Sequence, residues 1–154
     1  MSETRYWLMK TEPDVYSIDT LKKDGETLWS GVRNYQARNF MMKDMKLGDQ
    51  VLFYHSNAEP PGVAGLAVVS KLAEPDPLAF DKKSEYYDPK SSKENPRWFC
   101  VRVKFVKKLK NLVTLEEIKN DPMLRQMLVI KRGQRLSIQP VSKKDFDYIV
   151  KLGS

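Results

Sequence analysis

The run RWFCVRVKFVK, residues 97–107, is the clearest strand in the sequence. Two sets of side chains alternate along it, an apolar set at Phe99, Val101, Val103 and Phe105 and a mixed set at Trp98, Cys100, Arg102 and Lys104. Successive side chains of a β-strand point to opposite faces, so this period of two residues predicts a strand. The mixed second face suits a sheet covered by helices on one side or the wall of a small barrel, with Cys100 as a structural residue.

Four other segments have the composition of strands. They are residues 5–10, 51–55, 63–70 and 135–139, the last ended by Pro140. Runs rich in β-branched and aromatic residues between turn residues are typical of strands. Gly65 interrupts the third segment, and a glycine inside a strand indicates a bulge or the close approach of another group. We expect close packing at Gly65.

Short helices are predicted between the strands by their capping residues. Helix starts are expected at Ser17, at Asn34, at the capping box Thr114-Leu115-Glu116-Glu117, at Asp121-Pro122 and at Ser142. The helix after Asn34 should run to about Met45 and bury Ala37 and Met41. These elements predict an α+β fold of five or six short strands in a bent sheet or small barrel, with short helices around it. A doubly wound sheet fits poorly, because no glycine-rich phosphate loop follows a strand.

The composition limits the class of protein. The 154 residues, 41% of them hydrophobic, suffice for one core, so we expect a single domain over residues 1–154. No apolar run approaches the roughly 20 residues of a membrane helix. The N-terminus has no basic leader and the chain no basic nuclear-targeting tail, so we expect a cytoplasmic, bacterial protein with no membrane partner. A single cysteine excludes an internal disulfide and, with a single histidine, disfavours a zinc site, so no metal or cofactor is expected.

The charge of the chain favours a polyanionic partner. The net charge is +7 and the pI about 9.4, and such proteins attract phosphate backbones and release their counterions. The excess lysines are scattered, so surface solubility explains them equally well. The charge therefore only supports a nucleic-acid partner.

Residues 29–39 have a composition suited to a flat ligand that forms hydrogen bonds. The run WSGVRNYQARN combines an indole, a phenol, two guanidiniums and three side-chain amides. It is too polar for an interior and too aromatic for an ordinary solvated loop. A nucleobase fits such a surface, because its faces stack on rings and its edges pair with amides.

A long connection at residues 72–96 separates two predicted strands. Loops of this length are typical of functional or mobile segments. Its Tyr86-Tyr87 pair and the nearby Trp98 would be costly to leave in water. We therefore expect the loop to fold back on the body as a lid over a pocket.

Several motifs together resemble those of the EVE domain family. They are YWLMKTEP at 6–13, the run at 29–39, LFYHSN at 52–57 with PPG at 60–62, YYDPKS at 86–91, PRW at 96–98 and GQRLS at 133–137. They occur in the family's order and cover nearly the whole chain. The resemblance implies a PUA-like fold, similar to that of YTH readers of methylated adenine, and recognition of a modified base in nucleic acid.

The resemblance also implies a site. The residues expected to border the pocket are Lys10, Thr11, Glu12, Trp29 and Ser30, with Trp29 as the main stacking surface. Polar contacts are expected from His55, Ser56 and Asn57, a second aromatic surface from Tyr87 or Trp98, and further ligand contacts from Asn34 and Tyr35. Phosphates would be held by Arg33, Arg38 and Lys10. The structural alternatives are a core indole at Trp29, internally paired arginines and a Glu12 that holds backbone amides.

The leading hypothesis is a non-catalytic module that recognises methylated or hydroxymethylated cytosine, or methylated adenine, in DNA or RNA. One alternative is an enzyme acting on a nucleotide-like substrate, with His55 and Glu12 in acid–base roles. No second acid, metal set or nucleophile lies near His55 in the sequence, which favours a structural histidine at a strand end. The other alternative is a sensor of a small ligand or nucleotide. The sequence leaves the oligomeric state open.

Overall fold

The chain folds into a mixed β-sheet with helices against both faces. The computed structural model describes residues 4–131 and 136–154. Within them the strands are β1 (Tyr6–Thr11), β2 (Glu26–Leu28), β3 (Gln50–His55), β4 (Gly62–Pro75), β5 (Phe99–Thr114) and β6 (Ile138–Val141). The α-helices are α1 (Ile18–Asp24), α2 (Tyr35–Asn39), α3 (Leu115–Asn120) and α4 (Lys143–Gly153). A π-helical turn, Phe40–Asp44, continues α2, and 3-10 turns occupy Pro77–Phe80, Pro122–Leu124 and Leu128–Ile130.

The strands lie side by side in the order β2-β5-β4-β3-β1-β6. β1 runs parallel to β3 and antiparallel to β6, and the β3–β4, β4–β5 and β5–β2 pairs are antiparallel. The β4–β5 register shifts at several points, and β3–β4 shifts once, between Phe53 and Tyr54. Such irregularities bend a strand and increase its twist. The α+β class with a bent sheet is therefore confirmed, although β4 and β5 are much longer than the short strands expected.

The sheet buries side chains on both faces. In β1 and β3 one face carries Trp7, Met9, Val51 and Phe53, which pack with α1 and α2, and the other carries Leu8, Leu52 and Tyr54, which pack with α3 and α4. This alternation follows from the two-residue period of a strand. Two core layers result, one on each side of the sheet.

The predicted helix starts are confirmed. The side chains of Ser17, Asn34, Thr114, Asp121 and Ser142 each accept a hydrogen bond from a backbone N–H two or three residues later. Capping of this kind satisfies N–H groups that the helix itself leaves without an acceptor. The helical region after Asn34 ends before Met45, as expected, with its second half in the wider π-helical form.

Gly65 lies where α1 crosses the sheet. A Cβ atom added there would lie 2.5 Å from the Ile18 side chain and 2.7 Å from the carbonyl oxygen of Lys107. The register between β4 and β5 also shifts next to this residue. The close packing expected at Gly65 is therefore confirmed, because only a residue without a side chain lets α1 approach the sheet.

Three sequence predictions need correction. The long connection begins at Asp76 and not at residue 72, because β4 continues to Pro75 by pairing with β5. The last strand continues through Pro140 to Val141. A proline is tolerated there because β6 lies at the sheet edge, and the predicted start at Arg135 lies outside the described residues. Finally, β2 was not predicted.

The described residues contain no helix long and apolar enough to span a bilayer.

Candidate functional site

A cavity of about 570 Å³ opens beside the carboxyl end of β1. This volume lies within the range of roughly 300–1,000 Å³ typical of ligand pockets. The lining residues are Lys10, Thr11, Glu12, Val15, Tyr16, Thr27, Leu28, Trp29, Ser30, Gly31, Val32, Arg33, Ser56, Leu78, Tyr86 and Ser137. They come from the end of β1, the turn after it, β2 with its following loop, and the lid segment, together with Ser56 after β3 and Ser137 before β6. The pocket predicted from the sequence therefore corresponds to a cavity with both aromatic and polar walls.

Trp29 forms an inner wall of this cavity. The residue is 7% exposed, and its ring meets Phe53 edge to face at 5.6 Å. Its backbone N–H donates to the carbonyl oxygen of Val101, which anchors it beside β5. We find no hydrogen-bond acceptor for its indole N–H among residues 4–131 and 136–154. Trp29 is thus both a core residue, as the structural alternative expected, and a donor that reaches the cavity.

Lys10 supplies a second donor at the end of β1. Its side chain is half-buried, and burial lowers the pKa of its ammonium group. The ammonium lies 5.9 Å from the centre of the Tyr54 ring, and in the described part of the chain no carboxylate lies within 4.0 Å of it. A half-buried cation without a counter-ion favours an anionic or carbonyl ligand.

The neighbouring polar residues hold the end of β1 in place. The Thr11 carbonyl accepts a 3.0 Å hydrogen bond from the Ser56 N–H. The Glu12 carboxylate accepts one of 2.7 Å from the Asn57 amide. Glu12 therefore pairs with a side-chain amide and not with the backbone amides that the structural alternative expected. Thr11 and Ser56 line the cavity, whereas Asn57 does not.

A buried carboxylate tethers the lid to the loop after β2. Asp76 is 1% exposed, and its Oδ2 accepts hydrogen bonds from the Gly31 N–H at 2.7 Å and from Arg33 Nη1 at 3.0 Å. Its Oδ1 accepts from the Leu78 N–H at 2.8 Å. Arg33 also donates through Nε and Nη2 to the Tyr86 carbonyl oxygen. These bonds position Tyr86 at the cavity.

Tyr86 packs directly on Gly31. The φ angle of Gly31 is +85°, and an added Cβ would lie 3.1 Å from the Tyr86 ring. Glycine meets both demands, since it adopts positive φ readily and has no side chain. Tyr86, and not the predicted Tyr87, is therefore the lid tyrosine that lines the cavity.

His55 lies outside the cavity lining and has a structural partner. Its Nε2 accepts a 3.1 Å hydrogen bond from the Ile18 N–H, at the start of α1. Burial lowers the pKa of the half-buried imidazole. The contact requires an unprotonated Nε2, as expected for a structural histidine at a strand end. Asn34 also lies outside the lining, where its side chain caps α2.

Tyr35, Trp98 and Arg38 form a separate cluster. The Tyr35 and Trp98 rings stack at 4.7 Å with an interplanar angle of 18°. The Arg38 guanidinium lies 4.6 Å from the Tyr35 ring centre and donates to the Arg97 carbonyl oxygen at 2.7 Å. None of these three residues is in the cavity lining. Tyr35 and Trp98, which were expected to contact the ligand, therefore lie apart from Trp29, and their role in binding stays a prediction.

Two of the three predicted phosphate ligands, Arg33 and Arg38, are engaged within the protein. Arg33 pairs with Asp76 and the Tyr86 carbonyl, while Arg38 donates to Arg97 and to the Asn39 side chain. The structural alternative thus describes both arginines, and phosphate contact stays a prediction. Motif residues 133–135 lie outside the described residues. In the described ranges, no cluster of three histidine, cysteine, aspartate or glutamate residues could hold a metal ion.

Sequence reasoning missed the apolar part of the wall. The missed lining residues are Val15, Tyr16, Thr27, Leu28, Gly31, Val32, Leu78, Tyr86 and Ser137. Four of them had a usable sequence feature: Tyr86 belongs to the tyrosine pair of the long loop, Gly31 and Val32 to the run at 29–39, and Ser137 to the motif at 133–137. The others have ordinary types, and their position depends on how distant segments pack.

Comparison with known proteins gives close relatives over the whole chain. Human thymocyte nuclear protein 1 is 42% identical over 166 residues, which cover 96% of this chain and 73% of that protein. A hypothetical protein from Leishmania major is 49% identical and superposes with a TM-score of 0.93, over 98% of this chain and 95% of its own. The human THYN1 protein, in a complex with DNA containing 5-methylcytosine, is 42% identical with a TM-score of 0.89, over 97% and 98% of the two chains.

These similarities agree with the motif resemblance described above. They extend through the strands and helices, which supports the PUA-like α+β fold class. The sequence model of the EVE domain matches residues 5–152. The chain therefore belongs to the EVE domain family.

Proposed function

We propose that this protein is a non-catalytic module that binds a methylated base of DNA in the cavity between Trp29 and Tyr86, with 5-methylcytosine as the first candidate. The observation that carries the proposal is a pair of donors at the cavity, the Trp29 indole N–H and the Lys10 ammonium, for which the described part of the chain supplies no acceptor. A relative 42% identical to this chain has been solved with DNA containing 5-methylcytosine, which supports the choice of base. Binding by this chain to RNA or methylated adenine is kept as an outcome of the test.

The cavity chemistry suits a cytosine taken out of the base stack. Extruding a base loses a few kcal/mol of stacking and pairing, which the protein must replace. Tyr86 offers an aromatic surface, and Trp29 offers an edge with a donor. The O2 and N3 acceptors of cytosine match the two donors, and the Ser30 hydroxyl or a backbone carbonyl at Thr11 could accept from its amino group.

Apolar side chains at the cavity supply a basis for selecting a methyl group. Val15, Leu28, Val32 and Leu78 all line it. One methyl group in an apolar pocket contributes about 1–3 kcal/mol, which corresponds to roughly 10- to 200-fold in discrimination. We therefore expect methylated cytosine to bind more tightly than cytosine by about tenfold or more.

The enzymatic alternative has less support. It depends on His55, whose Nε2 is engaged by the Ile18 N–H and which is outside the cavity lining. Glu12, the second residue it invokes, is exposed and paired with Asn57. The cytoplasmic location and the single domain stay predictions.

The test is a fluorescence anisotropy titration with labelled oligonucleotides that differ at one base. The set contains cytosine, 5-methylcytosine, 5-hydroxymethylcytosine and N6-methyladenine in DNA, and 5-methylcytosine in RNA, each at two salt concentrations. We expect the 5-methylcytosine DNA to bind most tightly, with an affinity that falls as salt rises. Equal affinity for every oligonucleotide would overturn the proposal. Binding only of free nucleosides would favour the sensor, and chemical turnover of the base would favour the enzyme.

Two variants locate the site. Tyr86→Ala removes a cavity ring, whereas Tyr87→Ala removes the adjacent ring outside the lining and is the matched control. Loss of one stacked ring lowers affinity by about 1–3 kcal/mol, so we expect Tyr86→Ala alone to weaken binding, by about 5- to 150-fold. If the two variants weaken binding equally, the base lies elsewhere.

A further inference from the structure

Tyr35 presents an exposed aromatic surface beside the cavity. The residue is 47% exposed, while one face of its ring stacks on the buried Trp98 at 4.7 Å. Exposed tyrosine rings are common, but this ring is held rigidly by the indole beneath it. Rigid aromatic surfaces bind planar ligands with little loss of conformational freedom.

Arg38 does not cover the outer face of Tyr35. The Arg38 guanidinium lies 4.6 Å from the Tyr35 centre and 5.8 Å from the Trp98 centre. A guanidinium on the outer face of Tyr35 would lie nearly twice as far from Trp98 as from Tyr35. The two similar distances therefore place Arg38 beside the stacked pair, where it does not cover the outer face.

A second guanidinium marks the edge of the ring. Arg97 Nη2 donates to the Tyr35 hydroxyl at 2.7 Å, and the Arg97 side chain is 34% exposed. Arg97 Nη1 lies 3.8 Å from Asp88 Oδ2, which is longer than a hydrogen bond. Part of the donor capacity of the guanidinium therefore remains for a ligand. The combination of an open ring and an adjacent cation matches a nucleotide, with its base on the ring and its phosphate at the guanidinium.

The Tyr35–Trp98 stack lies close to the cavity. The Arg33 guanidinium lies 5.1 Å from the Trp98 ring and 5.5 Å from the Tyr86 ring, so it links the Tyr35–Trp98 stack to the cavity wall. Neighbouring nucleotides of a stacked strand are about 3.4 Å apart, and more when their bases separate. A nucleotide one to three positions from a base in the cavity can therefore reach Tyr35.

We propose that the outer face of Tyr35, with Arg97 at its edge, is a second nucleotide subsite that stacks a base flanking the one in the cavity. This inference rests on the proposed function. It adds that tight binding needs an oligonucleotide and not a single nucleotide. A single nucleotide fills the cavity alone, whereas an oligonucleotide occupies both places. The subsite reads no particular base, because every base has a face that stacks.

The experiment compares a mononucleotide with an oligonucleotide. Isothermal titration calorimetry measures binding of 5-methyl-dCMP and of a single-stranded DNA pentamer with central 5-methylcytosine. The proteins are the wild type, Tyr35→Ala, Tyr35→Leu, Tyr35→Phe and Trp29→Phe. Tyr35→Leu keeps the cover over Trp98 without a stacking face, and thermal melting identifies any variant that fails to fold.

We expect Tyr35→Ala and Tyr35→Leu to weaken pentamer binding by about 5- to 150-fold, the equivalent of about 1–3 kcal/mol for one stacked base. Binding of 5-methyl-dCMP should not change, and Tyr35→Phe should bind the pentamer within about threefold of the wild type, because its ring remains. Equal pentamer affinity of Tyr35→Leu and the wild type would overturn the subsite. An equal loss for both ligands would overturn it as well.

Failure of the proposed function gives a different result. If the subsite alone is wrong, Trp29→Phe still weakens the binding of both ligands, because it removes the indole donor. If the cavity is not the base site, Trp29→Phe leaves both affinities unchanged. If the wild type does not bind the pentamer at all, both proposals are overturned.

Discussion

Replacing Asp76 tests how the lid is attached to the cavity wall. The carboxylate is buried and accepts hydrogen bonds from the Gly31 and Leu78 backbone and from Arg33. Asp76→Ala leaves three donors without this acceptor and the guanidinium without its ion-pair partner. Asp76→Asn keeps the shape and one acceptor oxygen but removes the charge.

The magnitude follows from these contacts. Removing one partner of a buried ion pair destabilises a protein by about 3–5 kcal/mol, and an unsatisfied buried donor costs about 1–3 kcal/mol. The Arg33 side chain is 21% exposed, so water can solvate part of its charge. We therefore expect Asp76→Ala to lower the free energy of unfolding by about 3–4 kcal/mol, and Asp76→Asn by about 1–2 kcal/mol. Such losses are a large share of a typical stability of about 5–15 kcal/mol.

Urea denaturation followed by tryptophan fluorescence measures this change. The control is Asp81→Ala, which removes an exposed carboxylate in the same connection; among the described residues, that carboxylate accepts a hydrogen bond from the Lys83 N–H alone. Exposed substitutions of this kind change stability by about 0.5 kcal/mol or less. The reasoning is refuted if Asp76→Ala destabilises the protein no more than Asp81→Ala does. A loss for Asp76→Asn equal to that of Asp76→Ala would show instead that the charge dominates.

Three further substitutions or treatments have defined outcomes. Gly31→Ala should lower the free energy of unfolding in urea by about 1–2 kcal/mol, because residue 31 has a positive φ. It should also weaken base binding by displacing the Tyr86 ring. A variant as stable as the wild type would contradict the first expectation. Burial lowers the pKa of His55 below its usual 6.5, so the folded state favours the neutral ring, and its contribution to stability is lost as the pH falls below about 6.5. His55→Gln can still accept from the Ile18 N–H and should remove this pH dependence from thermal melts between pH 7 and pH 5; an unchanged slope would count against the assignment. Burial raises the pKa of Cys100 to about 12, so iodoacetamide at pH 8 should modify the thiol in urea and leave the native protein unlabelled; rapid native labelling would refute its burial.

The parts of the fold that were predicted correctly are those encoded by neighbouring residues. Asn34 caps α2 by accepting from the Ala37 N–H, three residues away. The alternation in β5 likewise needs only adjacent side chains. The length of β4 was not predictable in this way, because Pro75 belongs to it only through its pairing with Phe99.

Some of the residues that line the cavity were named from the sequence for the same reason, and their role in binding stays a prediction. Trp29, Ser30 and Lys10 were identified from motif and residue type, and all three line the cavity. Tyr35 and Trp98 have equally suitable types, yet they stack on each other although they lie 63 positions apart in the chain. No local pattern distinguishes a ring that lines a cavity from a ring that covers another ring.

The sequence by itself determined the helix starts, the clearest strands, the fold class and, through its motifs, the family. These depend on hydrogen bonds and side-chain periods within a few residues, or on long runs of matching residue types. Only the tertiary structure decided which aromatic rings face the cavity, that Asp76 ties the lid to the loop after β2, and that His55 holds the start of α1. Those outcomes depend on contacts between residues far apart in the chain, where packing and the burial of polar groups choose among side chains of similar chemistry.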